Sequence, residues 1–157
     1  EKSFNCSTNK VVKLKGAVKW VNGSFNCDKN KLTSLEDGPV IVKENYMCYE
    51  NKLTSLKGSP EVIEGDFSCN NNELTTLKDG PKKVKLNVFC RNNNLKIEGL
   101  KYLPSLNKKS MISLKGNIGL GNLQSMSNLE ELLVISEKII LLEKIEKNTS
   151  ETKINKL

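Results

Sequence analysis

Cys6, Cys27, Cys48, Cys69 and Cys90 are the side chains in this sequence best equipped for chemistry, and they stand at a constant interval of 21 residues. A thiol can be cross-linked, can ligate a metal or can attack an electrophile, and each role demands particular neighbours. Zinc sites use close CxxC pairs or histidines, whereas these cysteines are widely spaced and the chain has no histidine. A nucleophilic thiol needs a base beside it, which here must be Lys or a carboxylate; Cys48, next to Tyr49 and Glu50, comes nearest. Asp28, Glu50 and Asp66 are the carboxylates to weigh as an acid–base pair, but the periodicity sets no two of them at a useful fixed separation. The chain contains no GxxxxGK[ST], HExxH or calcium-loop spacing. No catalytic residue, metal or cofactor is therefore expected.

The thiols belong to a wider pattern. Asn9, Asn30, Asn51, Asn72 and Asn93 keep the same step, and so do Phe4, Phe25, Tyr46, Phe67 and Val88, two places before each cysteine. Such columns identify a repeat protein, in which each turn buries its apolar edge against the turns beside it. The second turn reads SFNCDKNKLTSLEDGPVIVKE, the third NYMCYENKLTSLKGSPEVIEG and the fourth DFSCNNNELTTLKDGPKKVKL. Alternation at Phe25-x-Cys27, Tyr46-x-Cys48 and Phe67-x-Cys69 has the period of a strand, one face inward and one outward. Copies a whole turn apart run in the same direction, so they are expected to pair in parallel, one rung per repeat. The cysteines then act as small interior hydrophobes, a reduced ladder suited to a cytoplasmic setting.

Where the chain bends away from a strand, backbone N–H and C=O groups point inward, and a short amide can pair with both kinds. That is the expected work of the asparagine ladder. Leu32 and Leu35, Leu53 and Leu56, and Leu74 and Leu77 return to the interior, with Val11 and Leu14 in the first copy. Gly38-Pro39, Gly58 with Pro60, and Gly80-Pro81 turn the chain, Gly relieving backbone sterics and Pro stopping regular structure. Val21, Val42, Ile63 and Val84 lead back to the next rung. Too few residues separate Leu35 from Val42 for a full helix, so the back of each turn is expected to be extended or 3₁₀.

The run resembles a short leucine-rich repeat, L-x-x-L-x-L-x-x-N-x-L, with Phe or Tyr and Cys in the strand leucine places and Asn in the signature place. It is most similar to the bacterial and bacteriophage versions of about 21 residues, with their N-x-L-T-S-L-x-G-x-P type of pattern at Asn30–Pro39 and Asn51–Pro60. The likeness covers about residues 3–103. It implies a leucine-rich-repeat solenoid of the α/β class over 1–103, with a short parallel sheet on its concave face. It implies a protein-binding surface more readily than any one activity. For the phage type it implies a place in the host cytoplasm or the virion. One spacing departs from the family: the Val or Ile lies four rather than three residues before the strand aromatic.

The fifth turn keeps its strand and Asn through Leu95, but Lys96-Ile97-Glu98 replaces Thr-Ser-Leu and no cysteine comes after it. Leu100, Leu103, Leu106, Met111, Ile112 and Leu114 are expected to fill one or two irregular last rungs, with loop around Gly116, Gly119 and Gly121, so that 104–127 connects the solenoid to a C-terminal segment of different period. In that segment Ser127 and Glu130 read as a capping box, and Leu129, Leu132, Leu133, Ser136, Ile139 and Ile140 approximate a 3.6-residue period. A helix is expected over 128–147, covering the last repeat or meeting another chain, with 148–157 as a frayed tail.

The net charge is +7, from Lys+Arg 25 against Asp+Glu 18, and the excess is spread except around Lys101, Lys108, Lys109 and Lys115. No apolar run approaches the roughly 18 residues of a membrane span, so no membrane role is expected. The sequence opens on Glu1 with the repeat under way by Phe4, as a processed or shortened N-terminus would.

Binding is the better prospect, and the alternation says where. Asn5, Asn26, Met47, Ser68 and Phe89 form the central outward column, flanked by Ser7, Asp28, Tyr49, Asn70 and Arg91 and by Ser3, Ser24, Asn45, Asp66 and Asn87. Met47, Tyr49 and Phe89 with Arg91 make the mixture enriched at protein interfaces. The expected partner site is Met47, Tyr49, Asp66, Ser68, Asn70, Phe89 and Arg91, and the expected partner is another protein. Isolated exposed apolar residues are also common on inert surfaces. Lys10, Lys31 and Lys52 read first as a solvated loop edge. The rival readings are nucleic-acid binding, with Tyr49 stacking a base and Arg91 meeting phosphate, and a structural component that self-associates through the open solenoid end or the C-terminal helix.

Overall fold

The computed structural model of the protein describes residues 2–125 and 129–154. The repeat folds into a parallel β-solenoid whose coils each contribute short strands to two sheets. In the main sheet β1 (Phe4–Asn5), β3 (Phe25–Asn26), β5 (Tyr46–Met47), β7 (Phe67–Ser68), β9 (Val88–Phe89) and β10 (Ile112–Ser113) lie side by side in that order. The second sheet orders β2 (Trp20–Val21), β4 (Ile41–Val42), β6 (Val62–Ile63) and β8 (Lys83–Val84). The back of the coil is thus extended, as expected, and its valines also pair from coil to coil. Phe4, Phe25, Tyr46, Phe67, Val88 and Ile112 occupy one register line.

Each coil turns its aromatic, its cysteine, two leucines and a β-branched residue inward. Phe25, Cys27, Leu32, Leu35 and Val42 are all fully buried, and the third and fourth coils bury the equivalent set. Burying a Phe, Leu or Val side chain is worth about 1.5–3 kcal/mol, so the core grows coil by coil. The rings stack: Phe4 on Phe25 with centroids 5.2 Å apart, Phe25 on Tyr46 at 5.5 Å, and Tyr46 tilted against Phe67 at 6.2 Å.

Two corners shape each of the first four coils. The residue before each ladder asparagine, Thr8, Lys29, Glu50, Asn71 or Asn92, has a positive φ between 50° and 56°. This left-handed step turns the chain off the strand and aims the amide inward, at a cost that non-glycine residues bear. A second left-handed step falls at Gly16, Asp37, Gly58 and Asp79. The turn read from Gly38-Pro39 and Gly80-Pro81 is therefore made by the aspartates just before those glycines. Gly38 serves close packing instead, since a Cβ there would stand 2.9 Å from the Leu35 carbonyl oxygen and 3.0 Å from Leu14 Cδ1.

A sixth coil forms after a longer connection. Ile97–Tyr102 is a 3₁₀ helix, Ser105 bridges to Lys83, and β10 pairs with β9 at an offset of 24 instead of 21 residues. Leu114 takes the cysteine place and Asn117, fully buried, takes the asparagine place. The loop expected at Gly116 is thus a rung: Gly116, with φ 83°, occupies the left-handed corner. Ile118–Ser125 is 3₁₀, kinked at Gly121.

The C-terminal helix α1 (Leu129–Ile154) packs against Ile97–Tyr102, buries Leu132 and Ser136, and pairs Glu143 with Lys101 at 2.5 Å. It passes the expected end at Lys147: Asn148-Thr149-Ser150 are weak helix formers, but neither Pro nor Gly stops the helix there. The capping box at Ser127 and Glu130 involves side chains outside the described residues. No helix among the described residues is long and apolar enough to cross a membrane.

Candidate functional site

From the second coil on, the asparagine ladder and the thiols are interior structure, while Asn9 is exposed and Cys6 half-buried. Asn72 Nδ2 donates to the carbonyls of Cys48, Cys69 and Asn70 at 3.1, 3.0 and 3.1 Å, while its Oδ1 accepts from Leu53 N–H at 3.0 Å. Asn30, Asn51 and Asn93 repeat the arrangement. Asn117 continues it, accepting from Leu95 N–H and donating to the Cys90 carbonyl. Its signal in the sequence was an Asn three places after an inward leucine, masked by the change of interval.

Burial pushes the Cys48 and Cys69 thiols well above the ordinary range, with neighbouring thiols adding to the shift. The same desolvation pushes Cys90 up to about 12 and raises Cys27. A fully buried, protonated sulfur is a poor nucleophile, which removes Cys48 as the thiol next to a potential base. Cys6 is half-buried, and its thiol is also raised, by desolvation and then by Asp28. All five cysteines are free, and among the described residues no three Cys, Asp or Glu side chains gather as a metal site would require.

The outward face of the main sheet carries the remaining candidates. Its central column runs Asn5, Asn26, Met47, Ser68, Phe89 and Ser113, so the sixth coil extends it by a residue the 21-residue interval could not place. Met47 and Phe89 are half-buried on either side of Ser68, which is only 5% exposed and accepts a hydrogen bond from Asn70 Nδ2 at 3.1 Å. The expected contact residue Ser68 is thus the floor between two larger side chains. Arg91 lies over Phe89, its guanidinium carbon 5.9 Å from the ring centroid, and its Nε donates to Ser113 Oγ at 2.5 Å. Tyr49 is half-buried with the Lys29 ammonium 5.9 Å from its ring centroid. Its phenol is held above its ordinary pKa by desolvation and then by Asp28.

The other expected contact residues belong to cross-coil ladders. Asp66 Oδ1 accepts from both the backbone N–H and Nδ2 of Asn87 at 2.9 Å, and Asn70 Oδ1 accepts from Arg91 N–H at 2.7 Å. The Asp66 bond is one step of a second ladder: Ser3 Oγ accepts from Ser24 N–H, Asn45 Oδ1 from Asp66 N–H, and Asn87 Oδ1 from Met111 N–H. Its signal was visible, because Ser3, Ser24, Asn45, Asp66 and Asn87 are all short and polar at the 21-residue step. Among the described residues two buried side-chain atoms stay unsatisfied: Asn26 Oδ1 on the outward face and the Tyr46 hydroxyl in the core. The Tyr46 hydroxyl lies close enough to the Cys27 thiol to raise its own pKa, second to burial, but makes no hydrogen bond of ordinary geometry.

Along the second sheet the charges that looked scattered are paired a coil apart. Lys43 meets Glu64 at 2.6 Å, Lys82 meets Glu61 at 2.6 Å and Lys57 meets Glu36 at 2.8 Å. These pairs are exposed and contribute little to stability each, but they balance charge locally along the back of the middle coils. Comparison of the chain with family models, curated proteins and solved structures gave no match in any of the three.

Proposed function

We propose that the protein is a non-enzymatic scaffold of the leucine-rich-repeat kind that binds another protein through the outward face of its main sheet. The observation that carries this reading is the central column. Met47 and Phe89 stand about 10 Å apart, two strand spacings, over a low Ser68. A single side chain entering over Ser68 would touch Met47 and Phe89 together. Aromatic, Met and Arg side chains at the centre of a polar face are the composition that concentrates binding energy.

Capture from extract of the native host tests the proposal, run in parallel with a variant carrying Met47→Ser, Tyr49→Ser and Phe89→Ser. A partner held by the intact protein and lost by the folded variant supports the site; an unchanged set of captured proteins overturns it. A second reading rests on the two aromatic–cation pairs, Tyr49 with Lys29 and Phe89 with Arg91, which resemble platforms for stacked bases. Retention of a single-stranded oligonucleotide that falls steeply with added salt would favour it over the protein partner.

A further inference from the structure

We infer that the corner where the fifth and sixth coils part is a second binding site, taking the phosphate monoester of a small, non-aromatic molecule. It uses none of Met47, Tyr49 and Phe89, so it stands or falls independently of the outward column.

The site begins with a break in register. Ser105 bridges to Lys83 and Ile112 pairs with Val88, so the stretch from Ser105 to Ile112 is two residues longer than the one it faces. In the coils before, backbone bonds zip this corner shut: Gly65 N–H donates to the Glu44 carbonyl at 3.0 Å and Leu86 N–H to the Gly65 carbonyl at 3.2 Å. At the next step the zip stops. Among the described residues nothing donates to the Leu86 carbonyl, and the N–H groups of Asn107, Lys108 and Lys109 meet no acceptor. The extra residues stand off as a bulge, tied down by Asn107 Nδ2 on the Lys85 carbonyl at 2.6 Å and by Ser110 N–H on the Asn107 carbonyl at 3.0 Å. A cavity of about 420 Å³ opens beside it, lined by Lys85, Leu86, Asn107, Lys108, Lys109 and Ser110.

Charge and shape then select the occupant. Along this corner the preceding coils alternate Lys43, Glu64 and Lys85, with Glu64 2.6 Å from Lys43 and 3.7 Å from Lys85. Where the alternation calls for another acid the bulge supplies Lys108 and Lys109, and residues 100–122 hold four lysines and no acid. Both side chains are exposed, and among the described residues neither forms an ion pair within 4 Å. Ser110 is different: it is only 9% exposed, and among the described residues its hydroxyl makes no hydrogen bond. Three ammonium groups around one cavity repel one another, and a tetrahedral dianion relieves that repulsion while accepting bonds from lysine, hydroxyl and backbone N–H donors. The cavity falls in the range of roughly 300–1,000 Å³ typical of small-molecule sites and leaves room beyond a phosphate group. Leu86 offers the remainder an apolar wall, and among the described residues no aromatic ring lines the cavity for a base to stack on.

The test is calorimetric titration of the intact chain with glucose monophosphate, run against free glucose, inorganic phosphate, a phosphoserine peptide and a single-stranded oligonucleotide. Two variants accompany it: Lys108→Glu with Lys109→Glu reverses the charge of the exposed bulge, and Ser110→Ala removes only the hydroxyl. Melting curves confirm that each is folded, and Ser110→Ala, which deletes a group without a partner, should melt no lower than the intact chain. Expected is saturable binding of glucose monophosphate and none of glucose, with affinity falling about tenfold or more on charge reversal and a few-fold in Ser110→Ala. The proposal is overturned by a lack of saturable binding, by an affinity that either variant leaves unchanged, or by inorganic phosphate binding as tightly as the ester. It is equally overturned if the peptide or the oligonucleotide binds this cavity and glucose monophosphate does not, or if Ser110→Ala melts well below the intact chain, which would assign the hydroxyl to the fold.

Discussion

The two faces of the main sheet are built from alternate residues of the same strands, yet they obey different rules. Facing in, the aromatic and cysteine columns are nearly uniform and fully buried through the middle coils. Facing out, the central column changes type at almost every rung: Asn26, Met47, Ser68, Phe89. An inward side chain must fit the copy above and the copy below, so geometry forces repetition. A side chain of that central column has no such constraint, and its variation is where a specific partner can be encoded.

If that division is right, disturbing the inward columns should unfold the protein, and the largest effect should come from alkaline pH. Cys27, Cys48, Cys69 and Cys90 ionise near 9 when unfolded, whereas burial holds them higher in the fold, Cys90 at about 12. Folded thiols therefore keep protons that unfolded ones release. Their contribution is complete below pH 9 and is lost as pH rises from there through the folded values, by up to about 1.4 kcal/mol per pH unit for each thiol. Urea midpoints measured between neutral pH and about pH 10.5 should fall steeply above 9, and a flat profile would mean that the sulfurs are not enclosed.

Asn72→Ala comes next. It removes three donor bonds and one acceptor bond and leaves buried backbone groups unpaired, so a loss of about 3 kcal/mol or more is expected. Asn70→Ala on the outward face should cost about 1 kcal/mol or less by the same denaturation assay. Equal losses would erase the distinction between the faces.

How much of this was readable obeys the same division. The five-coil register, the Asn and Cys ladders and the inward leucines were legible because each coil copies its neighbour's constraints. The second sheet was not, since its two-residue strands at Trp20, Ile41, Val62 and Lys83 share no outward residue type. The sixth rung was expected through Met111, Ile112 and Leu114, as the structure has it, but its register and its asparagine were hidden for a different reason. Three extra residues in the connection moved Leu114 and Asn117 out of phase, and Leu replaced the expected Cys, so a fixed interval passed over a ladder that the folded chain continues without a break. On the outward face the alternation marks which residues line the surface, and the short polar column through Asp66 marks a ladder, but which atoms bond in it was not readable. That Asp66 and Asn70 spend their oxygens on the next coil's N–H groups depends on a cross-coil distance that only the folded chain sets.

Gly116→Ala sharpens the reading of the sixth coil as a true rung. The added Cβ would lie 2.0 Å from Asn92 Oδ1 on a backbone with φ 83°, so a loss of about 1–3 kcal/mol is expected in thermal denaturation. A silent substitution would mean that the corner is a loop free to rearrange. In the third coil, Tyr46→Phe should act in the opposite direction. Phe occupies this place in the neighbouring coils, and the Tyr46 hydroxyl is buried without a partner, so its removal should stabilise the fold by about 1 kcal/mol.

The smallest expected change in stability is also the one that bears most on function. Phe89→Ser alters a half-buried outward ring that lies under the Arg91 guanidinium, and Arg91 keeps its bond to Ser113 Oγ without it. The lost ring contact is worth about 0.5–1 kcal/mol, and the substitution leaves the cross-coil ladders intact. A melting temperature lowered by only a few degrees, together with loss of the captured partner, would separate the two faces cleanly: one holds the chain together and the other is free to recognise. Collapse of the fold in this variant would instead place Phe89 among the structural residues.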